Sequence, residues 1–195
     1  MQKIFMLILS VILIFPLASC KKEKKKENDN RTHFTLTLTN GGIIRGELYP
    51  DVAPKTVENF KKLCDEHFYD GLIFHRVIED YIVQGGGYDT GMNPKESEPI
   101  KGEFSKNGVN NKLSHKRGVL SMARTQKYDS AANQFFIVVK DSPSLDGHYA
   151  AFAKITEGLN YVDEIAESKT GIYKPYGMNN VPKKQFIIES LTVEE

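Results

Sequence analysis

The chain has 195 residues, of which 40% are hydrophobic and 26% are charged, and its formal net charge is +1. This length suits one ordinary domain with a leader, and the composition is that of a globular protein. Basic residues outnumber acidic ones in residues 1–31, whereas residues 32–195 are slightly acidic, so charge gives no support for nucleic-acid binding by the domain.

The first 20 residues have the pattern of a bacterial secretory leader. Lys3 precedes an apolar run over residues 4–15, and small residues precede Cys20, in the order of charged region, hydrophobic region and cleavage site. Because a bilayer-spanning helix needs about 20 residues, an uncleaved anchor is the less favoured alternative. The tetrapeptide LASC at 17–20 resembles the lipobox of bacterial lipoproteins.

The lipobox resemblance implies a lipoprotein signal peptide at 1–19 that is removed before Cys20. The thiol of Cys20 would then carry diacylglycerol, and the new N-terminus a further acyl chain such as palmitate. Stable anchoring needs two or more such chains. We therefore expect an exported protein that is anchored by lipid to a bacterial membrane, on its periplasmic or cell-surface side.

Residues 20–31 are predicted to be the lipidated cysteine and a basic, flexible linker. Residues 21–31 contain no apolar side chain and therefore cannot contribute to a hydrophobic core. Two roles for the lysines remain open: contact with anionic lipid headgroups and simple solubilisation of a spacer. The predicted domain then covers residues 32–195.

Alternating and helical patterns predict a mainly β domain. Residues 33–39 alternate polar and apolar side chains, which is typical of a half-buried strand. Two helices are predicted, from Pro54 to about Glu66 and over 158–167. The predicted strands cover residues 33–39, 43–49, 72–78, 81–84, 119–123, 135–139, 150–155 and 186–193. Eight strands joined by hairpins, with two helices, favour a closed eight-stranded antiparallel barrel capped by the helices.

Further features of the domain bear on whether it carries a loop site, a reactive cysteine or a metal site. Residues 85–117 are rich in Gly, Asn, Pro, Lys and Ser, and an ordered loop of that length is usually functional; Gly85 to Gly87 are interpreted as the exit from a strand. Cys64 falls in a helical apolar stripe and is predicted to be a small buried residue. The cysteines and the five histidines show no metal-ligand spacing, and His75 is predicted to be packed and hydrogen-bonded rather than catalytic.

Two segments carry a family resemblance. Residues 69–86 read YDGLIFHRVIEDYIVQGG, and residues 120–137 contain LSMAR followed by SAANQFFI. Both are similar to the signature stretches of cyclophilins, and flanking similarity occurs at 53–60 and 145–152. The resemblance implies a peptidyl-prolyl cis/trans isomerase, or rotamase, whose substrate is an Xaa-Pro segment bound in a groove on the outer face of the barrel.

The resemblance also implies roles for individual residues. Arg76 matches the catalytic arginine, and Gln84 lies beside it and contacts the substrate backbone. A further set matches substrate-binding positions, the first four of them lining the proline pocket: Tyr81, Ile82, Phe136, Leu145, Ala123, Arg124, Gln134 and Tyr149. The expected partners are Xaa-Pro segments of unfolded or exported proteins, the protein is expected to be a monomer, and no nucleic acid is expected.

An arginine suits this chemistry without a cofactor or metal. Rotation about the Xaa-Pro bond breaks no covalent bond, and the obstacle is amide resonance of about 18–20 kcal/mol. A guanidinium directed at the prolyl nitrogen or the adjoining carbonyl binds the twisted amide better than the planar one. Without the surrounding motif, Arg76 would more simply be interpreted as a structural charge satisfied by Gln84.

The sequence departs from the family pattern at several positions. Ser144 stands where many cyclophilins have a Trp that resembles part of the cyclosporin contact surface, so weak cyclosporin binding is expected. Arg124 replaces a frequent Asn at the edge of the groove, and Tyr81 replaces a usual Phe. Two other functional hypotheses remain: a chaperone module that holds Pro-containing segments without catalysis, and an adhesin that binds through residues 85–117.

Overall fold

The computed structural model describes residues 32–194. The strands are β1 His33–Leu38, β2 Ile43–Leu48, β3 Leu72–Ile78, β4 Ile82–Asp89, β5 Val119–Met122, β6 Phe135–Val138, β7 Ala151–Glu157, β8 Thr170–Tyr173, β9 Met178–Pro182 and β10 Ile188–Glu194. The α-helices are α1 Pro54–Asp65 and α2 Leu159–Ala166, and short 3-10 turns cover Ser105–Asn107, Pro143–Leu145 and Lys174–Tyr176. The predicted mainly β fold with two helices is confirmed.

Eight of the strands form one antiparallel sheet in the order β10-β1-β2-β7-β5-β6-β4-β3. In β1 the alternate residues Phe34, Leu36 and Leu38 are fully buried, as the period of two along the strand requires. The turn from β1 to β2 contains Gly41, whose φ of 84° lies in the left-handed region that glycine adopts without a Cβ clash. Local pattern and turn chemistry thus set the register of this hairpin.

The sheet is an open, strongly curled half-barrel, and the expectation of a closed barrel is wrong. Its edge strands β3 and β10 meet only through the isolated bridge between Ile73 and Ile187 and nearby bonds such as Gly71 N–H to the Ile188 carbonyl, 2.8 Å. The reason is stagger. β3 and β10 begin opposite each other and run in opposite directions, so they adjoin only near their first residues. Beyond that point β10 pairs with β1 instead.

The main core lies between the concave face of the sheet and the helices. Phe60 of α1 is fully buried at its centre, where its ring contacts those of Phe34, Tyr69, Phe135 and Phe152, with centroids 5.0–6.3 Å apart. Cys64 on the same helix face is buried and unbonded, as predicted, and burial raises the pKa of its thiol.

A second, smaller apolar cluster covers the outer face of the central strands. Every residue of β5 and β6 is buried, because outward-facing Phe136 and Val138 pack with Ile82, Leu145 and Ala151 instead of facing water. An antiparallel strand that faces solvent on one side would alternate. The outer cluster therefore marks the place on the sheet where a site is built.

The sequence-based assignment missed one feature and misplaced another. The β8–β9 hairpin was not predicted, because Gly171 and the exposed Ile172 give it no buried alternation. The segment Gly85–Gly87 lies inside β4, which continues to Asp89, and is not a strand exit.

Within residues 32–194 no helix has both the length and the apolarity to cross a bilayer. The predicted signal peptide, Cys20 lipidation and basic linker lie outside the described residues.

Candidate active site

A cleft of about 150 Å³ opens on the outer face of the sheet, where β3, β4 and β6 meet the turn at Pro143–Leu145. Nine of the ten residues predicted for catalysis or substrate binding line it: Arg76, Tyr81, Ile82, Gln84, Ala123, Arg124, Phe136, Leu145 and Tyr149. The tenth, Gln134, lies in the adjoining groove and is hydrogen-bonded to Gln84. The fold therefore brings together all ten side chains, which come from five separate segments.

A chain of hydrogen bonds fixes the polar side of this cleft. Arg76 and Gln84 are register partners on β3 and β4, and Nη1 of Arg76 donates to Oε1 of Gln84 at 3.1 Å. Nε2 of Gln84 in turn donates to Oε1 of Gln134 at 2.9 Å. Among residues 32–194 no carboxylate lies within ion-pair distance of Arg76, so its charge is oriented by a neutral amide and not cancelled.

The opposite side of the cleft is apolar. Ile82, Phe136 and Leu145 are each at most 6% exposed, and the ring of Tyr149 stands edge-on to that of Phe136 with centroids 5.5 Å apart. Tyr81 packs against the same cluster, and partial burial raises the pKa of its phenol. Such a wall has room for one small ring beside the guanidinium of Arg76.

Buried His115 supports this wall from beneath. Its Nδ1 lies 2.8 Å from Oδ1 of Asp146 and its Nε2 lies 3.0 Å from Oγ of Ser121, while its ring stacks on Phe136 at 6.1 Å and 19°. Burial lowers the pKa of the imidazole, so the neutral ring donates to the carboxylate and accepts from the hydroxyl. The network ties the Leu145 turn to the floor of the cleft.

Asp146, His115 and Ser121 are hydrogen-bonded in the same order as the catalytic triad of a hydrolase. The serine, however, is not accessible to a substrate. Ser121 has no exposed surface and lies under the sheet's outer cluster, whereas a nucleophile must reach its substrate. The network therefore has a structural role. Sequence reasoning missed it, because residues 115, 121 and 146 carry no signal of proximity along the chain.

A second pocket of about 350 Å³ continues the groove past Gln84. It is lined by Gln84, Glu96, Ser97, Pro99, Ala123, Arg124, Thr125, Ser130, Ala132, Asn133 and Gln134. Asn133 anchors this region, since its Nδ2 donates to the carbonyls of Gly86 and Lys95. Gln84, Ala123, Arg124 and Gln134 of this lining were predicted from the sequence. Residues 96–99 come from the long loop, and the length of that loop was the sequence signal that pointed to them.

His75 is buried and packed, as predicted. It is 2% exposed and its ring lies 4.7 Å from that of Tyr88, while the expected hydrogen bonding is absent at its Nδ1, which has no partner among the described residues. Desolvation by burial lowers its pKa to about 4, so the ring is neutral near pH 7. Among residues 32–194 no group of three or more His, Cys, Asp or Glu is arranged to hold a metal ion.

Residues 33–193 match the family model for cyclophilin type peptidyl-prolyl cis-trans isomerase/CLD. The chain belongs to the cyclophilin family. Peptidyl-prolyl cis-trans isomerase B of Escherichia coli is 46% identical over 167 residues, which cover 80% of this chain and 97% of the relative. A peptidyl-prolyl cis-trans isomerase of Acinetobacter baylyi is 44% identical over 163 residues, 80% of this chain and 82% of that one. This cyclophilin is therefore a peptidyl-prolyl cis-trans isomerase.

Solved structures agree on the fold. A crystal structure of a cyclophilin type peptidyl-prolyl cis-trans isomerase from Cryptosporidium parvum superimposes with a TM-score of 0.69 at 24% identity, covering 85% of this chain and 98% of the other. A crystal structure of that parasite protein in the presence of the dipeptide Ala-Pro gives a TM-score of 0.67, also at 24% identity, over 84% of this cyclophilin and 99% of the other chain.

Proposed function

We propose that this cyclophilin accelerates rotation about Xaa-Pro bonds in exported proteins, working from a lipid anchor on Cys20 at the outer side of a bacterial membrane. Arg76 is the catalytic residue, and the apolar wall holds the proline. The observation that carries the proposal is the unneutralised guanidinium of Arg76 beside a cleft sized for one pyrrolidine ring. The parasite structure determined in the presence of Ala-Pro supports the same class of substrate.

The proposed chemistry follows from how the amide changes as it rotates. At the twisted geometry the prolyl nitrogen loses conjugation and becomes an acceptor, and Arg76 binds this state more strongly than the planar one. Gln84 keeps the guanidinium aimed, since its Oε1 accepts one donor of Arg76 and its own amide is held by Gln134. The polar groups of the cleft then need no reorganisation while the Xaa-Pro bond rotates.

The apolar wall contributes by holding one side of the bond still. A proline ring against Ile82, Phe136 and Leu145 is fixed, while the preceding residue rotates over the more open part of the groove. An acceleration of about 10⁵-fold corresponds to about 7 kcal/mol. One charge-assisted hydrogen bond in a partly dry site together with a fixed ring is of the right size for that.

The activity is tested by cis-to-trans relaxation of a short Xaa-Pro peptide. The full chain, purified in mild detergent, is compared with Arg76→Ala, and Arg45→Ala serves as the matched control. Arg45 is exposed on β2 and paired with Glu157 at 2.9 Å, and β2 is separated by β7 and β5 from the cleft strands β6, β4 and β3. We expect Arg76→Ala to lose roughly 10²-fold or more in kcat/KM and Arg45→Ala to lose nothing. Equal activity in all three proteins would remove Arg76 from the mechanism.

A parent protein that binds the peptide without speeding its relaxation would instead favour the chaperone module. Binding that depends on the loop at 85–117 and not on the cleft would favour the adhesin.

The anchor is tested separately from the activity. Cells expressing the full chain are labelled with a radioactive fatty acid and fractionated, alongside cells expressing Cys20→Ala. We expect label and membrane association in the parent, and neither in the variant. Label that persists in Cys20→Ala would place the lipid elsewhere and overturn the proposed anchor, while leaving the isomerase activity intact.

A further inference from the structure

The guanidinium of Arg124 occupies the border between the proline cleft and the adjoining groove pocket, and it lines both. Its position is fixed by two backbone carbonyls: Nε donates to His148 at 3.0 Å and Nη1 donates to Thr125 at 2.8 Å. Arg124 itself is only partly exposed. A long side chain that normally samples many rotamers is therefore held in place before any substrate arrives.

Three aromatic rings complete the enclosure of this guanidinium. Its Cζ lies 5.0 Å from the ring centroid of Phe104, 5.1 Å from that of Tyr128 and 4.7 Å from that of Tyr149. Cation–π contacts hold a cation without cancelling its charge. Among residues 32–194 no carboxylate lies within ion-pair distance of Arg124, and its Nη2 has no hydrogen-bond acceptor.

We propose that Arg124 makes this enzyme prefer Xaa-Pro segments that carry a carboxylate close to the proline. The acidic residue is the one two before proline, the one directly before it or the one directly after it. This inference rests on the proposed function, because it concerns substrates of the same cleft. An immobilised guanidinium with an unused N–H donor binds a carboxylate at little further entropic cost. The carboxylate must come from a residue close to proline, because Arg124 borders the cleft that holds the ring.

A negative charge in the groove pocket, away from the proline cleft, limits the preference for acidic residues to positions close to proline. Glu96 is exposed and lines the groove pocket but not the proline cleft. A carboxylate placed deep in the groove pocket would face Glu96 as a like charge. Acidic side chains are thus favoured at the border with the cleft and disfavoured beyond it.

The test compares peptide pairs that differ only in Glu against Gln. Three pairs place the residue two before proline, one before proline and one after it, and an all-neutral peptide is the reference. For the full chain at low salt we expect the ratio of kcat/KM, Glu over Gln, to be roughly threefold or more for at least one pair. Because the Debye length falls to about 3 Å at 1 M salt, that ratio should approach one in 1 M NaCl.

Variants separate the charge of Arg124 from its packing. In Arg124→Gln the Glu-over-Gln ratio should fall to about one whatever happens to the absolute rate, and in Arg124→Lys it should fall only in part. Lys127→Gln is the matched control, since Lys127 is an exposed cation of the same loop that lines neither pocket, and it should keep the parent ratio.

Three outcomes are decisive. A ratio near one for every pair in the parent, or a ratio that survives in Arg124→Gln, overturns the inference. Should Arg124→Gln fail to fold, Arg124→Lys decides instead, because a Glu-over-Gln ratio in Arg124→Lys equal to that of the parent overturns the inference. A parent that leaves even the neutral peptide unaccelerated contradicts the proposed function instead.

Discussion

The carboxylate of Glu103 accepts hydrogen bonds from both the backbone N–H and the hydroxyl of Thr56, each at 2.7 Å. Its second oxygen accepts from the N–H of Lys55 at 3.1 Å. Helix α1 begins after Ala53, which has no side-chain acceptor to satisfy these donors. A residue of the long loop therefore caps the helix, and its negative charge also complements the helix dipole.

We predict that Glu103→Ala destabilises the domain by about 2–3 kcal/mol, because buried N–H groups at the start of α1 lose a charged acceptor. Urea denaturation followed by circular dichroism measures the change. Glu98→Gln is the control, since Glu98 is an exposed residue of the same loop and should change the free energy of unfolding by no more than about 0.5 kcal/mol. A loss below 1 kcal/mol in Glu103→Ala would show that water replaces the cap.

Gln84→Glu is predicted to reduce catalysis strongly, although glutamate and glutamine side chains have nearly the same size and shape. A carboxylate at the position of Oε1, 3.1 Å from Nη1 of Arg76, forms an ion pair that neutralises the charge needed at the twisted amide. We expect kcat/KM to fall by about tenfold or more, with normal thermal stability. Gln84→Ala, which removes the orientation but leaves the charge, should lose less. The opposite order of the two variants would contradict an electrostatic role for Arg76.

Stability is predicted to fall on acidification between about pH 6.5 and pH 4. Burial lowers the pKa of His75 to about 4, whereas an unfolded histidine titrates near 6.5. Between pH 6.5 and pH 4, His75 is therefore protonated in the unfolded chain but neutral in the folded chain. The free energy of unfolding falls across this window by about 3 kcal/mol from His75, and His115, whose pKa burial also lowers, acts in the same direction.

The variant His75→Leu isolates this effect. It should flatten the pH dependence of urea midpoints between pH 6.5 and 4. Ile172→Ala should leave the dependence as it is, since it changes an exposed side chain and removes no titratable group. An unchanged slope in His75→Leu would assign the acid sensitivity to other groups.

Cyclosporin is predicted to inhibit this cyclophilin only weakly. Ser144 is an exposed residue of the 3-10 turn at Pro143–Leu145, and it offers little of the surface that a Trp would present at the edge of the cleft. We expect Ser144→Trp to tighten inhibition by roughly tenfold or more, the scale of one buried aromatic contact. Inhibition assays on both proteins decide this, and nanomolar inhibition of the parent would contradict it.

The sequence by itself determined eight of the ten strands, both α-helices and the candidate composition of the site. Alternation in 33–39 and the helical stripe containing Phe60 predict β1 and α1 because each depends on a short repeat of buried residues. Motifs around Arg76 and Phe136 named the family and the ten candidate site residues, since a family signature is a local string. Their catalytic and binding roles remain predictions until the variants are measured.

Tertiary structure alone decided whether the sheet closes, what supports the cleft and which charges remain free. The stagger of β3 against β10 depends on pairing across the whole sheet, and no short pattern encodes it. The same holds for Glu103 on α1, for His115 under Phe136 and for Arg124 among its three rings. Each joins residues far apart in the chain, and only packing, which acts through space and not along the sequence, brings such groups within bonding distance.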